Sequence, residues 1–577
     1  MPNNGDTEKE FLVNGDIVRG IGSFHKTLPH NPYGEVCSAA FKQLVDACNG
    51  DGSGFASVPE GLKDAAKLTN PQAGLAADHL THHPAAYSMP PAPTVLSTTT
   101  AAEMTELYWM ALLRDVPFNE LQTNQDTGTA AEELNTRFHD AVSDTSDPGH
   151  LRPGIDIPGS SATQAAITRN NLFRLGLAGE ENGPMLSQFF TRPVAFGTQV
   201  IDARQRPYKA GHDYLTKFDE WLRAQCTGKD DDGRDYSKAN EGNASFFEDD
   251  DRYISTMRDL ARFVNKDALH QAYFNAALIL LSGQAELTTG NPYREGGQLA
   301  KREAGFGVLG GPHLLALVSE VATRALKVIW NQKWQVNLRL RPEAYGGLVH
   351  VQTDGVCGVK RQYGLPEWIT DTHAAQKVAE KNNGNYLLPM AFTPGGPNHP
   401  AYGAGHATVA GACVTILKAY FKTFEMSEGN AVPVKFNTLQ ERTSADGNRP
   451  DPFDTSTIIK AYETGCYGGE WKRVELEGEI AEKLTIEGEL NKLAQNVSMG
   501  RSMGGVHWRT DNSRSLVLGE AIAAEILAGI TTDTNEEEYF EFRTFARRED
   551  GSPKIVRIRQ GRIFVDGRLV DTHTSAL

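Results

Sequence analysis

Apolar residues return at three- and four-residue steps along 256–282, 313–334 and 407–424, a period that predicts helices with one buried face. The same period recurs over 101–114, 474–498 and 513–530. A chain with so many helical segments buries them most readily as bundles, so an all-α fold built of helical bundles is expected. Stretches rich in Gly, Pro and charge at 143–163, 226–252, 382–405 and 425–457 predict loops. After residue 535 the pattern changes, because 554–558 and 562–569 alternate around turn residues and predict a short C-terminal β appendage. The expected division is a mainly helical part over 1–300, a second helical part over 301–534 and the β-rich tail over 535–577, joined in one integrated fold.

Composition narrows what such a chain does. Its 577 residues leave room for two or three ordinary domains, and 40% hydrophobic with 23% charged residues is ordinary globular usage. No apolar run reaches the roughly 18 residues of a membrane span, so no membrane partner is expected. The polar start Met1 to Glu10 lacks the apolar stretch of a secretory signal, which leaves a soluble, cytoplasmic protein as the default and the localisation open. A net charge of -16 argues against nucleic acid as a partner, since such binding neutralises phosphates with Lys and Arg. Any small anion bound by this chain needs a locally positive pocket. The six cysteines form no CxxC pair and read as free thiols, with a Cys37 to Cys48 bridge left open. His79, His82 and His83 stand before Pro84 and read as a solvated helix end. The acidic runs Asp230 to Asp232 and Glu248 to Asp251 lack the spacing of a calcium loop and read as solvated loops.

Three segments carry candidate chemistry. Lys333-Trp-Gln-Val-Asn-Leu-Arg-Leu-Arg341-Pro342 closes a strong helical pattern, and alone its cations are equally well explained as the usual decoration of a helix C-terminus. Pro397-Asn-His399-Pro-Ala-Tyr-Gly403-Ala404-Gly405-His406-Ala407-Thr408 leads small residues into an apolar helix. Such a start presents free backbone N–H groups to an anion, although a plain Gly-rich helix start reads the same. Arg501-Ser-Met-Gly-Gly-Val-His507-Trp-Arg-Thr-Asp511 lies between two helical patterns. If the chain is helical from His507, Asp511 lies one turn along the same face. There it can hold one imidazole nitrogen and leave the other for a metal.

In this order the three segments resemble the shared signature of vanadium-dependent haloperoxidases and PAP2-type acid phosphatases: a Lys and Arg-Pro segment, a Gly-His pair, and an Arg, His and Asp segment. The likeness covers much of 89–520 and is closest to the algal and cyanobacterial bromoperoxidase branch. It is carried by Met89-Pro-Pro-Ala-Pro, 106–118, 171–189, Glu320-Val-Ala-Thr-Arg-Ala-Leu-Lys327, 411–419 and Gly488-Glu-Leu-Asn-Lys-Leu493. The resemblance implies two four-helix-bundle-like cores and one vanadate per chain. His507 would be the vanadium ligand and Asp511 its orienting partner. Lys333, Arg341, Arg501 and the Gly405 amide would hold the vanadate oxygens, with His406 as the acid–base residue and Lys333 polarising bound peroxide. The implied reaction uses hydrogen peroxide to oxidise halide, bromide foremost with iodide and chloride behind it. The hypohalous acid so formed halogenates a small organic acceptor. A homodimer or higher homo-oligomer is also implied.

Departures temper these expectations. Ala404 stands where most of the family has a serine that bonds the anion, and loss of a hydrogen bond to a charged group costs about 1.5–3 kcal/mol. His399, seven residues before His406, matches a histidine of the algal bromoperoxidases, whereas Trp330 matches the fungal chloroperoxidases, so both are halide-tuning candidates and the halide preference stays open. Trp330 reads equally as a core aromatic on an apolar stripe. The segment 292–312, where some algal relatives hold calcium, is nearly free of carboxylates, so no structural calcium is expected. A phosphatase on the same scaffold, or an oxyanion-binding relative weakened at Ala404, remains the alternative.

Overall fold

The segments with helical periodicity fold as helices in a computed structural model that describes residues 5–78, 81–161, 164–229, 246–441 and 457–570. In chain order the α-helices among them are α1 (Ser38–Asn49), α2 (Thr98–Leu113), α3 (Phe118–Leu121), α4 (Gln125–Ser143), α5 (Phe218–Thr227), α6 (Met257–Lys266), α7 (Gln271–Ser282), α8 (Gly311–Asn331), α9 (Pro342–Thr353), α10 (His373–Lys381), α11 (Gly405–Tyr420), α12 (Gly478–Lys483), α13 (Ile486–Met503) and α14 (Arg509–Asp533). His79 and Asp230 to Asp232 lie outside the described residues.

α11 is apolar on every side, as a helix must be to run through the centre of a core. It packs against α8, α13 and α14, while α2 packs against α4, α10 and α13. One core of buried side chains runs through both groups, with Trp109, Val318, Val409, Leu490 and Leu527 among its members. α14 is long and apolar enough to cross a membrane by length and composition, yet it is the partner α11 packs on most closely, and 72% of its most apolar window is buried. Small residues permit that approach. A Cβ added to Gly411 would lie 2.1 Å from the Leu516 carbonyl oxygen, and one added to Gly519 would lie 2.1 Å from the Thr408 carbonyl oxygen. The two backbones therefore touch where α11 begins to carry the candidate site.

Boundaries differ from the periodicity in three informative places. The pattern over 256–282 is two helices, because Asp267 leaves helical geometry (φ -60°, ψ 145°) after a polar Asn-Lys-Asp run whose side chains compete with the helical ladder. The 313–334 pattern continues past Asn331 as a π-helical turn, Gln332–Asn337, a widened geometry that recurs at functional sites. Over 474–498 the first residues belong to the strand Glu470–Glu475 and to the short α12, and the main helix starts at Ile486, where Thr485 caps it by accepting from the Gly488 amide at 3.0 Å. The 425–457 loop contains the hairpin Phe424–Ser427 with Asn430–Pro433. The tail is a four-stranded antiparallel meander, Phe540–Arg547, Pro553–Arg559, Arg562–Val565 and Arg568–Val570, larger than the two alternating runs indicated. All six cysteines are unbridged.

Replacing Gly519 with Val forces α14 away from α11. We expect a stability loss of about 1–3 kcal/mol in chemical denaturation. Oxyanion binding should weaken as well, because the first turns of these two helices carry Gly405, His406 and Asp511.

Candidate active site

The π-helical turn ends the long α8 and turns Lys333 inward, and the chain then runs extended through Arg339 and Arg341 until Pro342 starts α9. Lys333, Arg341 and Arg501 are all buried. Lys333 Nζ donates to the carbonyls of Pro400 (2.7 Å) and Ala401 (3.2 Å), which leaves one of its three N–H bonds unspent. Arg341 donates Nε to the His399 carbonyl (2.9 Å), Nη1 to the Val506 carbonyl (2.6 Å) and Nη2 to His399 Nδ1 (2.9 Å). Arg501 Nη1 reaches the Val264 carbonyl at 2.8 Å, and its buried Nε has no protein partner. Among the described residues none of these three cations forms an ion pair with a carboxylate. Burial holds Lys333 well below the usual lysine range, Arg341 at about 9 and Arg501 at about 10, and neighbouring cations add to the shift at Lys333 and Arg341. Such a group of buried charges is a strong demand for an anion.

His507 sits at the centre of this demand. Its Nδ1 lies 2.9 Å from Asp511 Oδ2, and its Nε2 lies 3.1 Å from Arg341 Nη1. Since arginine only donates, Nε2 is the accepting nitrogen and Nδ1 carries the proton toward Asp511. Burial, reinforced by Arg341, Lys333 and Arg501, keeps His507 well below the usual imidazole range and hence neutral. The lone pair that accepts from Arg341 is the one a metal would take, and taking it releases an arginine N–H for an oxygen of the same anion. The helix that carries Asp511 begins at Arg509, after His507 rather than at it. Asp511 Oδ2 also accepts from the Trp508 amide at 3.0 Å, so the capping of α14 fixes the carboxylate beside the imidazole.

Gly405 and His406 open α11, so their amides lack intrahelical acceptors and face an anion at the positive end of the helix. Ala404 precedes them without a capping side chain, and its amide donates to Ser515 Oγ at 3.0 Å. His406 Nε2 lies 3.1 Å from Asp267 Oδ1, which leaves Nδ1 as the ring nitrogen for proton exchange. His399 packs against Trp330 with ring centroids 4.9 Å apart, and Lys333 Nζ lies 5.6 Å from the Trp330 ring. Trp330 is therefore a wall of this pocket as well as a link to the core. His399 accepts from Arg341 at Nδ1, so its 3.3 Å approach to the Pro400 carbonyl is not a hydrogen bond. Burial and three neighbouring cations keep it neutral. All the candidate residues of the three segments thus converge.

No protein-family model matches the chain. It is 31% identical over 576 residues to the vanadium-dependent bromoperoxidase of Ascophyllum nodosum, spanning 98% of this chain and 89% of that protein. The chain belongs to the vanadium-dependent haloperoxidases, on their bromoperoxidase branch. The vanadium-dependent bromoperoxidase of Corallina pilulifera is likewise 31% identical, over 91% of this chain and 90% of its own. The homohexameric second vanadate-dependent bromoperoxidase of Ascophyllum nodosum superposes with a TM-score of 0.75 at 28% identity, covering 99% of this chain and 88% of that one.

Two residues of this haloperoxidase site escaped the sequence reading. Arg339 bridges Asp511 Oδ1 (2.7 Å) and Glu103 Oε2 (2.7 Å), both deeply buried, and so fixes the carboxylate that fixes His507. Its signal was present, since residues two apart in an extended segment face the same side and Arg339 lies two before Arg341. Asp267 was hidden inside an apparently continuous helix. Asp511→Asn keeps the shape but loses the charge toward His507 Nδ1 and Arg339. Equilibrium titration with orthovanadate should show about 10–100-fold weaker binding, with the fold retained by circular dichroism.

Proposed function

We propose that this chain is a vanadate-dependent bromoperoxidase that uses hydrogen peroxide to oxidise bromide, and that the pocket around His507 holds one vanadate. The observation that carries the reading is the buried cluster of Lys333, Arg341 and Arg501 without carboxylate partners, facing the accepting nitrogen of a neutral His507. The donor set fits the group: a neutral imidazole suits the metal, and three cations with the Gly405 amide suit oxygens bearing negative charge. When bound, vanadate supplies a Lewis acid that draws electron density from peroxide and so makes it reactive toward halide.

The chain's own groups do the rest. Asp511 keeps the His507 proton on Nδ1. Arg341 and Arg501 would offset the negative charge of the bound oxyanion, and the spare Lys333 N–H would donate to an oxygen that gains negative charge. His406 takes and returns protons through Nδ1, while Asp267 holds Nε2 and so fixes the ring. Trp330 and the neutral His399 form the wall from which halide approaches, and bromide is the preferred halide. Assembly as a homo-oligomer is part of the same reading and is supported by the hexameric relative.

The test is vanadate-reconstituted protein assayed for bromination of a phenolic dye with peroxide and bromide. Vanadate-dependent bromination is expected, and folded protein that binds vanadate yet consumes no peroxide with bromide overturns the reading. Ala404→Ser restores a donor to the anion. Vanadate affinity should rise about tenfold or more, the equivalent of a hydrogen bond of about 1.5–3 kcal/mol, and an unchanged affinity shows that the hydroxyl is not what limits binding.

A further inference from the structure

Beyond Asp267 lies a second cavity, of about 170 Å³. Pockets for drug-sized ligands start near about 300 Å³, so this one suits a single ring and its substituents. Part of its wall is aromatic and aliphatic: Phe190 and Phe263 meet edge to face with centroids 5.0 Å apart, beside Ile201 and Ile254. Asp267 is shared between the cavity and the active site, because the same carboxylate lies 3.1 Å from His406 Nε2, and 26% of the His406 side chain is open to solvent.

Charge at the cavity is positive within a chain of net charge -16. Of its lining cations, Arg192 is paired with Glu441 and Arg204 with Asp202. Arg262 lies over the rings of Tyr208 and Phe247. Lys266 is exposed, with no hydrogen-bond or ion-pair partner among the described residues. An anionic group therefore finds an unspent cation at Lys266.

We propose that this cavity is an acceptor site for a single-ring phenol bearing a carboxylate, its ring against Phe190 and Phe263, its carboxylate at Lys266 and its phenolic end toward His406. The inference rests on the haloperoxidase reading. In the overall step, peroxide, bromide, the arene and one proton give the bromoarene and two waters. Peroxide takes two electrons from bromide, the new C–Br bond replaces a ring C–H bond, and the ring proton is released. A ring held here meets hypobromous acid before it escapes to solvent.

The experiment lets 4-hydroxybenzoate and phenol compete for bromination by the vanadate-loaded enzyme, with the product ratio compared against reagent hypobromous acid in the same buffer. The expected result is at least a fivefold enrichment of brominated 4-hydroxybenzoate over the reagent ratio. Lys266→Glu and Asn275→Phe, the latter filling the cavity from its Asn275 wall, should each abolish the enrichment while leaving bromide-dependent peroxide consumption without acceptor unchanged. A ratio equal to that of the reagent, with normal peroxide consumption, overturns the proposal, as does enrichment that both variants retain. If bromide-dependent consumption is absent altogether, the haloperoxidase reading fails. The cavity is then decided by calorimetric titration of 4-hydroxybenzoate into vanadate-free protein: saturable heat that Asn275→Phe removes supports the site, and no heat overturns it.

Discussion

Three cations buried side by side, with no carboxylate partner among the described residues, are the constraint around which this protein is arranged. Lys333, Arg341 and Arg501 are held by backbone carbonyls of Pro400, Ala401, His399, Val506 and Val264. Among the described residues the nearby acids have other partners: Asp511 holds His507, Asp267 lies against His406, and Glu343 is spent on Lys26 at 3.0 Å and on the Gly396 amide at 2.9 Å. Had any of these acids paired directly with the cations, the positive field would be neutralised within the protein. As built, charges whose burial costs several kcal/mol each are left for an external anion to offset.

The scaffold makes that arrangement rigid. The site is assembled from four regions far apart in sequence, and close backbone contact of α11 and α14 through Gly411 and Gly519 sets the distance between the Gly405 helix start and Asp511. Arg339 and Glu103 then tie the first turn of α14 to α2, with Glu103 Oε1 accepting from the Thr510 amide. Burial raises the Glu103 carboxyl above its usual range, and Arg339 is the charge that works against this shift. The inner site is thus a chain of hydrogen bonds, from Glu103 through Arg339 and Asp511 to His507.

Much of this was legible in the sequence. Helical periodicity located the main helices, because α8, α11 and α14 bury long regular apolar faces and period alone identifies them. The three charged segments were legible because each couples a residue type to a spacing, and the resemblance joined them. What stayed hidden depends on three-dimensional context. Asp267 breaks a helix that the apolar pattern would continue, and no local signal says that its carboxylate meets a histidine 139 residues away. Glu103 looks like one acid on a helix until Arg339 is placed against it. The strands of the hairpin Phe424–Ser427 with Asn430–Pro433 are only four residues each, too short for alternation to stand out, so they read as loop.

The most direct measurement is anomalous diffraction at the vanadium absorption edge from crystals of this protein grown with orthovanadate. The account predicts one strong peak per chain within bonding distance of His507 Nε2, among Lys333, Arg341, Arg501 and the Gly405 amide. A saturated crystal with vanadium bound elsewhere, or with none beside His507, would contradict it.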